Sequence, residues 1–287
     1  IDHATGDQVA QLLYDLDEKA ARADVEGLLL PVGDRAYFRF RKNSHLRAAP
    51  ELGDITREFT QRRLGRAYDY VGGADFQGTP HHAAVVCKIF GTMADPIIWA
   101  VEDFVVGQAT EDDLLDEIDA AQYAPENLLW VGDASGQWQD GEHSRNGRDS
   151  FKVFQSRRWH IVPPAEKKST KGRWSKNPPV EKRVSLINRL LGEAPDPTTG
   201  KPGVPVRLYL DPGTEGFPTC RKLAEALREC PWKKARYGGK PDGIYSHISD
   251  ALGYVCWWVH PAPRRPAAPG PVALLGPKRN VSFFGGE

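Results

Sequence analysis

Three aspartates stand where strand ends and a helix could gather them. Asp75 lies in Val71-Gly-Gly-Ala-Asp-Phe-Gln-Gly78, at the end of a β-rich run. Asp133 closes the short apolar run Leu128-Leu-Trp-Val-Gly and is followed by Ala134, Ser135 and Gly136. Asp250 sits inside the helical pattern Ser246-His-Ile-Ser-Asp-Ala-Leu-Gly-Tyr254. A charged side chain at an apolar strand end is costly unless it is paired or bound to a cation. Carboxylates are hard oxygen ligands that suit Mg²⁺ or Mn²⁺ rather than zinc. Two such ions about 3.5–4 Å apart activate a water and stabilise the leaving oxygen in phosphodiester cleavage, with no covalent nucleophile. A strand-end aspartate taken alone also serves as a turn or cap residue. The reading therefore rests on all three meeting in one place.

Other residues stand beside them. Glu102 and Asp103 end the third β-rich run, and Glu102 is a further candidate metal ligand, directly or through water. Asp211 ends a strand just before Pro212, and His247 precedes Asp250 by one helical turn. Both are candidates to support the ligands, with a turn role and an ordinary histidine as the plain alternatives. Lys167, Lys168, Lys171, Arg173, Lys176 and Arg183, with Lys182, surround Trp174. Clustered cations of this kind give salt-dependent, sequence-independent contact with nucleic-acid phosphates. A solvated polar loop is the alternative.

The elements that must position these residues are legible in outline. Residues 6–24 carry Val9, Leu12, Leu13 and Leu16 at helical spacing. Arg35–Arg41 alternates apolar and charged residues, which predicts a half-exposed strand, and the rest of 25–68 reads as a linker packed on something larger. Tyr70–Phe76, Ala83–Phe90 and Ile97–Val106 predict an antiparallel meander. A helix capped by Thr110 and the strand 128–132 follow, and residues 136–150 read as loop. A strand at 159–162, a helix at 180–191, a strand at 206–210 and helices at 220–229 and 246–259 complete the pattern. This β-β-β-α-β-α-β-α order predicts an RNase H-like fold: a mixed sheet of five or more strands, three antiparallel and the rest added in parallel, flanked by helices. The division expected is a linker over 1–68, the α/β domain over 69–260 and a flexible, proline-rich tail over 261–287.

Composition excludes some classes. At 40% hydrophobic and 10% aromatic residues, 287 residues can bury a sizeable core. The net charge is zero, but it hides an acidic stretch, eight Asp or Glu and no Lys or Arg from Glu102 to Asp119, and a basic one, nine Lys or Arg against two Glu from Arg157 to Arg183. A basic stretch is the usual footprint of a polyanion site. Cys87, Cys220, Cys230 and Cys256 form no CxxC pair, which argues against a zinc ribbon. There is no secretory signal, and no apolar run is long enough to span a bilayer, so reduced thiols in a cytoplasmic protein are expected. A chain that begins at Ile1 rather than Met reads as a fragment or a processed product.

From Gly72 to Trp258 the chain resembles the C-terminal nuclease domain of the large terminase subunit of tailed bacteriophages. Four motifs carry the resemblance in order: Gly73-Ala-Asp-Phe76, Gly132-Asp-Ala-Ser-Gly136, Asn177-Pro-Pro-Val-Glu-Lys-Arg-Val-Ser-Leu-Ile-Asn188, and Ser246-His-Ile-Ser-Asp-Ala-Leu-Gly-Tyr254. The last is the most specific. The resemblance implies that Asp75, Asp133 and Asp250 bind two Mg²⁺ or Mn²⁺ ions. It implies endonucleolytic cleavage of concatemeric viral double-stranded DNA during packaging, in the host cytoplasm. An ATPase motor domain, a small terminase subunit and a portal are the implied partners, with no membrane. No G-x-x-x-x-G-K-[ST] phosphate loop is present, so this chain is expected to cut but not to pump. Gln77 also departs from the family, which often has Gly there. Alternatives are another RNase H-like nuclease, such as a junction resolvase or transposase core, and a non-catalytic module that docks DNA or portal.

Overall fold

The protein's structure is a computed structural model that describes residues 35–76, 81–107, 110–137, 149–164, 177–192, 203–213, 219–235, 238–241, 243 and 245–261. The expected helix at 6–24, the segment 165–176, Gln77 and nearly all of the expected tail lie outside these residues.

The three β-rich runs form the predicted meander. Strand β1 (Tyr70–Asp75) pairs antiparallel with β2 (His81–Gly91), and β2 pairs antiparallel with β3 (Pro96–Gly107). Helix α3 (Glu111–Ala120) then leads to β4 (Leu128–Gly132), which returns parallel to β1. The start of α3 is set by a capping box, in which Thr110 accepts from the Asp113 N–H and Asp113 accepts from the Thr110 N–H. Helix α4 (Ser150–Ser156) precedes β5 (His160–Val162), which adds parallel to β4. Helix α5 (Val180–Leu190) precedes β6 (Leu208–Leu210), parallel to β3. The sheet order is β5-β4-β1-β2-β3-β6. It is a mixed six-stranded sheet of three antiparallel strands extended by parallel ones, in the RNase H-like order that the sequence predicts.

Each face of the sheet carries its own core. Val71, Ala83, Val85 and Cys87 pack with α5, with α6 (Arg221–Glu229) and with α7 (Ser246–Val259). On the other face Ala74, Ala84, Val86 and Trp130 pack with α3 and α4. Helix α7 lies directly on β1. A Cβ built on Gly73 would stand 2.0 Å from the carbonyl oxygen of Ala251, so only glycine admits this contact. That approach sets the position of Asp250, the residue before Ala251.

The N-terminal part departs from expectation. Residues 35–41 form no strand; Arg35 makes a single bridge to Pro231 and the chain then turns. Tyr37 and Phe40, three residues apart, both face inward, as in a helical turn, and are 1% and 3% exposed. The short helix α1 (Lys42–His45) and the helix α2 (Thr56–Leu64) follow. Ala36, Tyr37, Phe40, Phe59 and Tyr68 join the same core as α7. The described part of the expected linker is thus built into the α/β core. Two further elements had no clear sequence signal: α4, and the hairpin of β7 (Trp232–Ala235) with β8 (Gly238–Pro241).

Gly73→Ala is expected to cost about 2–4 kcal/mol, because the methyl meets a backbone carbonyl rather than a side chain that can swing aside. Urea unfolding of the purified variant measures this. A loss below about 0.5 kcal/mol would mean that α7 does not sit this close to β1.

Candidate metal centre

Asp75 is the last residue of β1 and is fully buried. Its register partner is Ala83, on the α7 side of the sheet. Asp133 follows β4, and its N–H donates to the Ala74 carbonyl at 3.0 Å, which continues the parallel β1–β4 ladder and sets the two aspartates side by side. Asp250 enters from α7 with its side chain 19% exposed. His247, Asp250, Ala251 and Tyr254 recur at helical spacing, so one face of α7 presents them all to the strand ends. The fold thus brings the three sequence-predicted aspartates to one region.

Each carboxylate is held by a protein donor. With Asp75 ionised, the His247 Nδ1–H donates to Asp75 Oδ2 at 2.8 Å. Asp133 Oδ1 accepts from the Ser135 N–H at 2.7 Å and from the Asn177 side-chain amide, whose own carbonyl accepts from the Ala134 N–H at 2.8 Å. Asp133 Oδ2 accepts from the Tyr254 hydroxyl at 3.1 Å. Asp250 Oδ1 pairs with Arg183 Nη2 at 3.0 Å, and the Arg183 guanidinium lies 4.5 Å from the centre of the Tyr254 ring. Asp75 Oδ1 is left: it is buried and has no hydrogen-bond partner among the described residues.

Burial pushes the Asp75 carboxyl up to about 7; the His247 hydrogen bond pulls against that rise, and the charges of Asp250 and Asp133 add to it. Burial also raises Asp250, opposed by Arg183 and reinforced by Asp133. Burial is the largest single influence on Arg183 and disfavours its charge, but Asp250, Tyr254 and Asp75 together outweigh it and the guanidinium stays protonated. The carboxylates therefore lie within electrostatic reach of one another. Among the described residues no group of three or more His, Cys, Asp or Glu side chains is placed so that it could hold a metal ion as it stands. Two observations nonetheless fit a cation here: the orphaned Asp75 Oδ1, and a donor set made of hard oxygens.

The remaining candidates separate. Glu102 stands apart from the three aspartates. Its register partner Val86 belongs to the α3–α4 face, opposite Asp75, and Glu102 Oε2 there accepts from the Tyr123 hydroxyl at 2.8 Å. Asp103 faces the α7 side, but its Oδ2 accepts from the Leu223 N–H at 2.6 Å, in the first turn of α6. Asp211 takes the turn role, its Oδ1 accepting from the Gly213 N–H at 3.0 Å. Arg183 is not a solvent-facing phosphate contact, since it is 3% exposed and bound to Asp250. Lys167, Lys168, Lys171, Arg173 and Lys176 lie outside the described residues. Sequence reasoning missed Asn177 and Tyr254 as site residues, although both stand inside the motifs quoted above. The spacing Arg183, Ile187, Leu190 places Arg183 on the buried stripe of α5, a signal that its basic neighbours obscured.

No protein-family model matches the chain, and no curated protein matches it. Solved structures do resemble it. One is the large terminase of a thermophilic bacteriophage, at 10% identity and a TM-score of 0.48, covering 78% of this chain and 45% of that one. Another is the P22 large terminase nuclease domain, at 13% identity and a TM-score of 0.49, covering 78% and 91%. A third is the large terminase nuclease domain of bacteriophage SPP1 with bound Mn, at 15% identity and a TM-score of 0.36, covering 68% and 89%. This chain spans less than half the length of the thermophilic phage protein. Among the described residues no helix is long and apolar enough to cross a membrane.

The Asp75 shift has a stability consequence whose sign is fixed. A carboxyl raised above its unfolded value of about 3.9 stabilises the fold fully only below that value, and the contribution is lost as pH rises through about 7. In chelator at pH 8, Asp75→Asn is therefore expected to be more stable than the natural chain, by on the order of 2–4 kcal/mol. The gain should shrink toward zero near pH 4. Paired denaturation curves across this range check it, and a variant that is less stable at pH 8 would contradict the assignment.

Proposed function

We propose that this chain is the nuclease part of a phage-type large terminase, a metal-dependent endonuclease that cuts concatemeric double-stranded viral DNA during packaging. One observation supports the reading: Asp75, Asp133 and Asp250 stand near one another where β1, β4 and α7 meet, Asp75 and Asp250 with a protein donor on one oxygen and Asp133 with donors on both, and Asp75 Oδ1 is buried with no hydrogen-bond partner among the described residues. The motif resemblance stated for the sequence supports the same three residues.

In this reading Asp75, Asp133 and Asp250 hold two Mg²⁺ or Mn²⁺ ions. Such ions supply the Lewis acidity that activates a water and stabilises the leaving oxygen of a phosphodiester. The chain's own residues prepare the site. Asn177, the Ser135 N–H and Tyr254 fix the Asp133 carboxylate, so that little ordering remains to be done when it binds. His247 fixes Oδ2 of Asp75 and leaves Oδ1 to face the cation. A carboxyl raised to about 7 would have to give up its proton for a cation to bind, so affinity should increase with pH through neutrality. The basic segment 165–176 would hold the DNA backbone without regard to sequence. The motor domain, the small terminase subunit and the portal are the proposed partners, and the host cytoplasm the place of action.

Nicking of supercoiled plasmid is the direct test. Nicked and linear products are expected with Mn²⁺ or Mg²⁺, none in chelator, and only background with Asp133→Asn. Cleavage by Asp133→Asn at the rate of the natural chain, or cleavage that survives chelation, would refute the proposal. A strong preference for four-way junctions over linear duplex would move the assignment to a junction resolvase.

A further inference from the structure

Arg183 is an unusual residue to find in a site built to hold cations. It is 3% exposed, ion-paired with Asp250 at 3.0 Å and stacked on Tyr254. Its Nε and Nη1 are buried with no hydrogen-bond partner among the described residues. Burying a guanidinium with unpaired N–H groups is costly, and an apolar side chain of similar volume would fill the same space without that cost. What the apolar substitute could not supply is charge. Arg183, 3% exposed, is the cation ion-paired with Asp250 among the described residues, whereas Lys240, which also acts on Asp250, is exposed.

We propose that Arg183 is a positioning residue that serves as the site's internal counter-cation: it holds Asp250 while metal is absent and yields it to the divalent ion that uses that carboxylate. The inference rests on the nuclease reading of the three aspartates. It makes the two ion sites unequal. An ion held by Asp75 and Asp133 would find an Asp75 oxygen that has no partner among the described residues, whereas an ion using Asp250 would have to compete with a guanidinium already in place. The same ion pair, with the Arg183–Tyr254 stack and the Tyr254–Asp133 hydrogen bond, links two of the carboxylates through one tyrosine, so the site stays assembled between turnovers.

The test uses Mn²⁺ alone, with calorimetric titration and thermal unfolding of the whole chain as readouts, so that it does not depend on DNA cleavage. The natural chain should bind one Mn²⁺ more tightly than the second. Arg183→Met should strengthen the weaker site by roughly tenfold or more, because a competing unit charge is gone. Its melting temperature should be lower in chelator and should rise more on adding Mn²⁺ than that of the natural chain. Arg183→Lys, which keeps the charge, should stay close to the natural response. An equal Mn²⁺ response in the natural chain and Arg183→Met would overturn the proposal and leave the nuclease reading standing. No Mn²⁺ response in the natural chain would overturn both. Should Arg183→Met fail to fold in chelator, the double variant Arg183→Met/Asp250→Asn decides: removing both charges should restore folding, and failure to do so would show that Arg183 acts by packing.

Discussion

Like charges confined to a dehydrated space are the constraint around which this molecule is arranged. Water would disperse the repulsion among Asp75, Asp133 and Asp250, but the first two are almost completely buried. The fold answers with placed donors: an imidazole on Asp75, an amide, a backbone N–H and a hydroxyl on Asp133, and a guanidinium on Asp250. Compensation is incomplete at Asp75, whose carboxyl burial drives up to about 7 and whose second oxygen has no donor among the described residues. Strain of this kind lowers stability, and it persists in proteins when it prepares a site for a ligand that relieves it.

The architecture places the three aspartates near one another. The parallel pairing of β1 with β4 brings two strand ends together on one edge of the core, and the Asp133 N–H extends that ladder by one bond past Gly132. Helix α7 supplies the third carboxylate only because Gly73 lets it descend onto β1. Once the helix is that close, its 3.6-residue repeat places His247, Asp250 and Tyr254 over the site together. Stability of the core and geometry of the site thus draw on the same contact.

Much of this is legible in the sequence. Binary pattern locates β1 to β4 and α7 because those elements are long or strongly apolar, and turn and cap residues set their ends, as Thr110 does for α3. The meander and the parallel additions follow from the order of elements. What escapes has a weak or misleading local signal. Residues 35–41 alternate like a strand, yet Tyr37 and Phe40 answer to a core that the sequence window does not contain. Glu102 looks like a strand-end ligand because strand register, and so the face it occupies, is fixed only by pairing with Val86. Arg183 stands among exposed-looking lysines while its spacing to Ile187 and Leu190 points inward. The three aspartates stand out as candidates because residue type and element position agree, whereas the donors that hold them are defined by contacts between distant segments.

Whether these three carboxylates form a divalent-cation site is tested most directly by a crystal structure grown in Mn²⁺, with anomalous diffraction at the manganese edge. An anomalous peak is predicted about 2.1 Å from Asp75 Oδ1 and from an oxygen of Asp133, a distance typical of small divalent ions on carboxylates. A second, weaker peak is expected against Asp250. An empty pocket at saturating Mn²⁺, with Asp75 still unpaired, would contradict the cation site.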